Sequence, residues 1–299
     1  MDTSAFRGLW TALVTPFREG NGIDNPIDFD ALDTLLDMQI AGWVDGIHFL
    51  GTTGENPTLT DAEGETIVYH GIEKLVWRTK VMVNIGTYST LASLENMKRY
   101  ESIDGIDAYL LVNPYYNKPT QTGLFLHFTT LAKATTRPVL IYNIKGRCAV
   151  NLENATLLAM IDACPNIIWV KEASGDLMQI RELIEKRPPG FLVLSGDDSI
   201  TSEVIRFWGD GVVSVASNAI PHKMTQYVSA CLRRDPESDT IGTQLRPFFE
   251  NLFLQSNPLP LKTYLAEKWV IRETFRLPMC PMDQGPREQF LEFIRTFES

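Results

Sequence analysis

Cysteine and histidine are scarce in this 299-residue chain, with four of each. Cys148, Cys164, Cys231 and Cys280 are scattered without metal-ligand spacing, and they read as reduced thiols rather than a disulfide framework. His48, His70, His127 and His222 form no HxxxH or HExxH pair. No metal site is expected, and all four histidines are read as satisfied or surface side chains. Positive charge is also short: Lys and Arg number 27 against 37 Asp and Glu, a net charge of -10. That balance argues against a nucleic acid or an anionic membrane as partner, and an anionic substrate would need cations gathered locally. No apolar run approaches the length of a membrane span, and Met1 to Arg7 has no basic segment leading into an apolar core, so a cytoplasmic protein is expected.

What the chain has in quantity is alternation. Short apolar, β-prone runs are each followed by a segment with helical spacing of apolar residues. The runs are Leu9–Val14, Val44–Leu50, Val81–Ile85, Ala108–Val112, Pro138–Tyr142, Ile167–Val170, Phe191–Leu194 and Val212–Val215. Between them the helical pattern covers Phe29–Ile40, Asp61–Val76, Leu91–Tyr100, Gly123–Ala134, Leu152–Ile161, Met178–Lys186 and Ile200–Trp208. Such a rhythm predicts a parallel sheet closed into a (β/α)8 TIM barrel over residues 1–220. Residues 221–299 read as a C-terminal helical extension, and the polar run Arg233 to Thr240 as a turn between two of its helices.

Chemistry in such barrels gathers at the carboxyl ends of the strands. There the sequence is polar: Thr52 and Thr53 follow the second strand, Tyr115 and Tyr116 the fourth. Tyr142 ends the fifth, with Arg147 just beyond, and Gly196 and Asp197 follow the seventh. The sixth delivers Lys171, with Ser174 or Asp176 placed to cap the helix behind it. Burying an ammonium is costly, so a lysine there keeps some free amine near neutral pH, as Schiff-base chemistry with a carbonyl substrate requires. Hydroxyls to relay protons and a guanidinium to hold a carboxylate complete the requirements of a site that condenses or cleaves keto acids. The plain reading of each residue, as turn cap, rim aromatic or loop charge, stands beside this one. Glu55 and Asp197 are read as loop support, and Glu172 as a charge on the helix start.

The segments Gly51-Thr52-Thr53-Gly54-Glu55, Pro114-Tyr115-Tyr116-Asn117-Lys118-Pro119, Tyr142-Asn143 with Arg147, Lys171-Glu172-Ala173-Ser174-Gly175-Asp176, Ser195-Gly196-Asp197-Asp198 and Ser256-Asn257-Pro258-Leu259-Pro260-Leu261-Lys262 occur in that order. Together they resemble the dihydrodipicolinate synthase and N-acetylneuraminate lyase superfamily. The resemblance implies that Lys171 forms a Schiff base with pyruvate and that Tyr142 shuttles protons, partnered by Thr52 and Tyr116. In the family the second of these partners comes from the neighbouring subunit of a tight dimer. It implies further that Thr53, Gly196 and Val213 contact substrate and that Arg147 engages the carboxylate of L-aspartate 4-semialdehyde. The implied partners are small molecules and copies of the chain, as a dimer or a dimer of dimers, and no cofactor is implied.

Lys145 departs from the family's Tyr-Asn-x-Pro-x-Arg loop, where proline is usual, and Cys148-Ala149 replaces the common Thr-Gly. The lost proline is expected to relax the loop and to add a cation near Arg147. Two alternatives stay open: an aldolase or dehydratase of the same superfamily acting on 2-keto-3-deoxy sugar acids, and a catalytically silent barrel serving as a binding protein.

Overall fold

A computed structural model describes residues 3–297 apart from Trp77. In chain order the elements are β1 (Gly8–Ala12), α1 (Phe29–Ala41), β2 (Gly46–Phe49), α2 (Asp61–Leu75), β3 (Lys80–Asn84), α3 (Thr90–Glu101), β4 (Ala108–Val112), α4 (Gln121–Ala132) and β5 (Val139–Asn143). They continue with α5 (Lys145–Cys148), α6 (Asn154–Ala163), β6 (Ile167–Glu172), α7 (Leu177–Lys186), β7 (Leu192–Ser195), α8 (Thr201–Arg206) and β8 (Gly211–Ser214). The chain then runs through α9 (Pro221–Arg233), α10 (Glu237–Asn251), α11 (Leu259–Glu267) and α12 (Gln284–Phe297). All neighbouring strands are parallel, and β8 pairs with β1, so the sheet closes as a (β/α)8 barrel.

Strand alternation separates two cores. Ile47, Phe49, Val81 and Val83 face the helices, while Trp10, Met82, Leu110, Leu140, Trp169, Leu194 and Val213 fill the barrel. Trp10 and Trp169 meet edge to face at 4.9 Å, with Phe6 packed against Trp169 at 5.1 Å. Gly46 makes room for this packing: a Cβ there would lie 2.2 Å from the Trp10 ring. At the amino ends of the strands Asp45, Asp107 and Asp210 accept the backbone N–H groups of Leu9, Val81 and Val193. Inward layers of large side chains make this a packed core rather than a pore, which leaves the carboxyl-end mouth as the place for a site.

Helix starts follow their caps. Thr60 and Glu63 form a capping box on α2, and Asp176 rather than Ser174 caps α7 through the N–H groups of Met178 and Gln179. Two local expectations are corrected. The sixth strand does not stop at Val170: ladder pairing continues through Lys171 opposite Leu194 and Glu172 opposite Ser195. The segment after β5, read as a loop, holds a helical turn: Cys148 and Ala149 donate to the carbonyls of Ile144 and Lys145 and close α5. Lys145 is the first residue of that turn, a position where proline and other residues fit equally because its N–H has no helical partner.

We propose the division at residue 220 for the chain order alone. In space α9 packs against α1 and β1, where a barrel's eighth helix lies, and α10 and α12 continue outward from it.

Candidate active site

Lys171 and Tyr142 are register partners on β6 and β5 and point the same way, into the barrel mouth. Both are buried, and Lys171 Nζ stands 4.2 Å from the centroid of the Tyr142 ring. Burial pulls the Lys171 amine down to about 7; the carboxylate of Asp198 opposes that shift and the Arg147 guanidinium adds to it. Burial likewise pushes the Tyr142 phenol well above its ordinary value, although Arg147 and a hydrogen bond with Thr52 pull the other way. Tyr142 is therefore a neutral hydroxyl tied to a second hydroxyl, able to pass a proton without becoming a phenolate at rest.

The other expected residues divide into those the fold brings to this pair and those it does not. Thr52 and Arg147 line a cavity of about 190 Å³ together with Tyr142, Tyr115, His48, Asn84 and Cys148. Arg147 is held at the mouth by a bond from Nη2 to the Asn257 carbonyl, 3.2 Å. Gly196 lies against the lysine: a Cβ there would come 2.6 Å from Ala173 Cβ and 3.2 Å from Lys171 Cε, so only glycine leaves the side chain its course. Val213 is part of the apolar packing inside the barrel. Thr53 is turned elsewhere, with its hydroxyl accepting from Asn257 Nδ2 at 2.9 Å. Tyr116 lies outside the cavity, 91% exposed, with φ 73, while Tyr115 takes the place on the lining.

Beneath the Gly51–Glu55 loop a buried polar set fixes its position. Glu55, in a left-handed conformation, pairs with Lys262 of α11, which also donates to the Thr274 carbonyl at 2.9 Å. Glu55 thus supports the loop, as its sequence position suggested, and Asp197 does so at β7 by accepting from Ser199.

Several site residues escaped the sequence. Glu172 is not a charge on a helix start: it lies on β6, 1% exposed, accepting from the Ser174 N–H at 2.7 Å and from Asn143 Nδ2 at 3.0 Å. Asp198 is fully buried, receives the Val215 and Ala216 N–H groups, and is lifted by burial to about 6. The Ser-Gly-Asp-Asp motif offered two aspartates, and the first was taken for the support role without a place for the second. His48 is not satisfied: both ring nitrogens are buried without a partner. Its signal was available in the phase of Gly46 and His48 along β2, which sends both inward. Among the described residues no cluster of three or more His, Cys, Asp or Glu side chains is placed to hold a metal ion.

The model of the dihydrodipicolinate synthetase family matches residues 5–296. The chain belongs to that family. It is 42% identical over 277 residues to the 4-hydroxy-tetrahydrodipicolinate synthase of Koribacter versatilis (strain Ellin345), covering 92% of this chain and 91% of that one. It is 40% identical over 290 residues to that of Leptospira biflexa, covering 97% and 96%. Among solved structures, the 4-hydroxy-tetrahydrodipicolinate synthase from the thermoacidophilic methanotroph Methylacidiphilum fumariolicum SolV superposes with a TM-score of 0.94 at 37% identity, covering 98% of this chain and 96% of that one. The family's order of motifs along the chain is thus matched by the same barrel.

Proposed function

We propose that this chain condenses pyruvate with L-aspartate 4-semialdehyde to give 4-hydroxy-tetrahydrodipicolinate. The observation that carries this reading is Lys171, a buried amine near 7 resting over a neutral tyrosine at the mouth of the barrel. The free amine attacks the ketone carbon of pyruvate, and loss of water leaves an imine joined to Nζ. Removal of a methyl proton converts the imine to an enamine, whose carbon adds to the aldehyde of the second substrate. The amino group of that substrate then attacks the imine carbon, closes the ring and releases Lys171. Each step moves a proton to or from oxygen or nitrogen, and the Tyr142 hydroxyl with its Thr52 partner supplies the relay.

Arg147 holds the semialdehyde's carboxylate with the guanidinium N–H groups that Asn257 leaves free. Gly196 leaves the lysine side chain its course, and Val213 belongs to the apolar packing inside the barrel. Thr53 acts through Asn257, steadying the loop that carries Thr52. The working form is an oligomer of at least two copies, in which Tyr116 completes the relay of a neighbour.

Borohydride trapping with pyruvate, read by mass spectrometry, tests the central step. The wild-type chain gains the reduced adduct and Lys171→Ala does not; an adduct persisting in the variant removes Lys171 from its role. Comparing turnover of aspartate semialdehyde with 2-keto-3-deoxygluconate tests the second substrate, and preference for the sugar acid would reassign the reaction.

A further inference from the structure

β2 and β3 bring to the cavity two polar side chains for which the condensation above has no use. His48 shares the inward phase of Gly46, and Asn84 that of Met82. The imidazole is 1% exposed and neither nitrogen has a hydrogen-bond partner. It lies under the backbone of Gly51, where a Cβ would come 2.6 Å from its Cε1. Asn84 gives its Nδ2 to the Leu50 carbonyl at 3.1 Å, which leaves Oδ1 buried and unpartnered. Both line the cavity with Thr52, Tyr142 and Arg147. Buried polar atoms are costly unless something satisfies them, so three such atoms facing one small cavity describe a complement of hydrogen bonds awaiting a ligand.

The complement can be read out. Burial, reinforced by the charge on Lys171, holds the imidazole neutral, with one donor and one acceptor. Asn84 Oδ1 adds a second acceptor. The two acceptors repel a carboxylate and find nothing to bind on pyruvate, whose ketone and carboxylate oxygens only accept and so could meet the imidazole N–H alone. The aldehyde oxygen of the second substrate also only accepts. Of the groups on the two substrates, the α-amino group alone carries N–H bonds to give.

We propose that His48 and Asn84 form the subsite for the α-amino group of the aldehyde substrate, the imidazole nitrogen and the amide oxygen accepting its N–H bonds while Arg147 holds the adjacent carboxylate. The inference rests on the reaction proposed above and deepens it: the site recognises an amino acid by both ends of its α-carbon, which a sugar acid cannot offer.

The test compares L-aspartate 4-semialdehyde as substrate with succinate semialdehyde, the same acid aldehyde without the amino group, as competitor. In His48→Leu and in Asn84→Ala the KM for aspartate semialdehyde rises by roughly 10-fold, the size of one lost hydrogen bond to a charged group. The inhibition constant of succinate semialdehyde stays within about 2-fold, since no contact to it is lost. The borohydride-trapped pyruvate adduct still forms in both, which reports an intact fold, and His48→Gln, keeping a donor and an acceptor, recovers part of the loss. Constants that rise together, or that do not move, overturn the subsite and leave solvent as the occupant. A wild-type chain that traps pyruvate but turns over no aspartate semialdehyde instead sinks the reaction, a result distinct from the first.

Discussion

Lys171 is partly free amine at neutral pH because desolvation outweighs the Asp198 carboxylate that would keep it charged. The sign of the pH dependence follows. Below about 7 the lysine is ammonium and cannot attack, so the rate of pyruvate adduct formation rises as pH passes through that value and levels above it. Asp198 stabilises the ammonium, so removing its charge lets the amine fall further. In Asp198→Asn the acid limb of the profile is expected to move to lower pH, while the amide oxygen still accepts the Val215 and Ala216 N–H bonds that hold the loop. A limb that stays put or moves up, measured as trapping rate against pH, would show that Asp198 does not act on the lysine. Lys171, Tyr142, Thr52 and Arg147 were legible in the sequence because charged and hydroxyl side chains at strand ends stand out against apolar runs. Asp198 was not, since what distinguishes it is the burial of one carboxylate, and for His48 only the inward phase could be read, not the missing partners of its ring.

Eight strands and the helices between them were legible as elements, and their ends were less so. A strand read from apolar residues stops at the first charge, but ladder bonds are made by the backbone and carried β6 on through Lys171 and Glu172. The α5 turn was read as loop because four residues carry no periodicity. Also hidden was the coupling of α11 to the loop after β2 through Lys262 and Glu55, 0% and 1% exposed, because the partners lie some two hundred residues apart. Burial draws Lys262 down to about 8, against the pull of Glu55. Lys262→Met is expected to cost about 3–5 kcal/mol, because it strands a buried carboxylate, and Glu55→Gln combined with it is expected to recover most of that loss. Denaturant unfolding of the single and double variants measures both. A double variant as unstable as Lys262→Met alone would mean that the ammonium's contacts with the rings of Phe17 and Phe275, not the charge pair, set the cost.

At the scale of the whole molecule, the single chain leaves Tyr116 away from the cavity whose relay it is proposed to complete. Tyr116 is 91% exposed in a left-handed conformation that a bulky residue adopts only at a cost, and Tyr88 and Leu91 lie exposed on the neighbouring loop and helix start. A strained aromatic held out in water is explained if a second copy receives it. In a two-fold dimer each copy then gives Tyr116 to the other's site and receives one in return. Tyr116→Phe and Lys171→Ala chains should therefore complement each other. In a mixed dimer the Tyr116→Phe subunit keeps its own Lys171 and receives an intact Tyr116 from its partner, so one of the two sites is whole. The expected result, after the two proteins are unfolded and refolded together, is turnover above the mean of the two parents, approaching roughly a quarter of wild type when random pairing makes half the dimers mixed. Turnover equal to the mean of the parents would place Tyr116 outside its neighbour's site, and wild-type turnover by Tyr116→Phe alone would leave the hydroxyl without a part in the reaction.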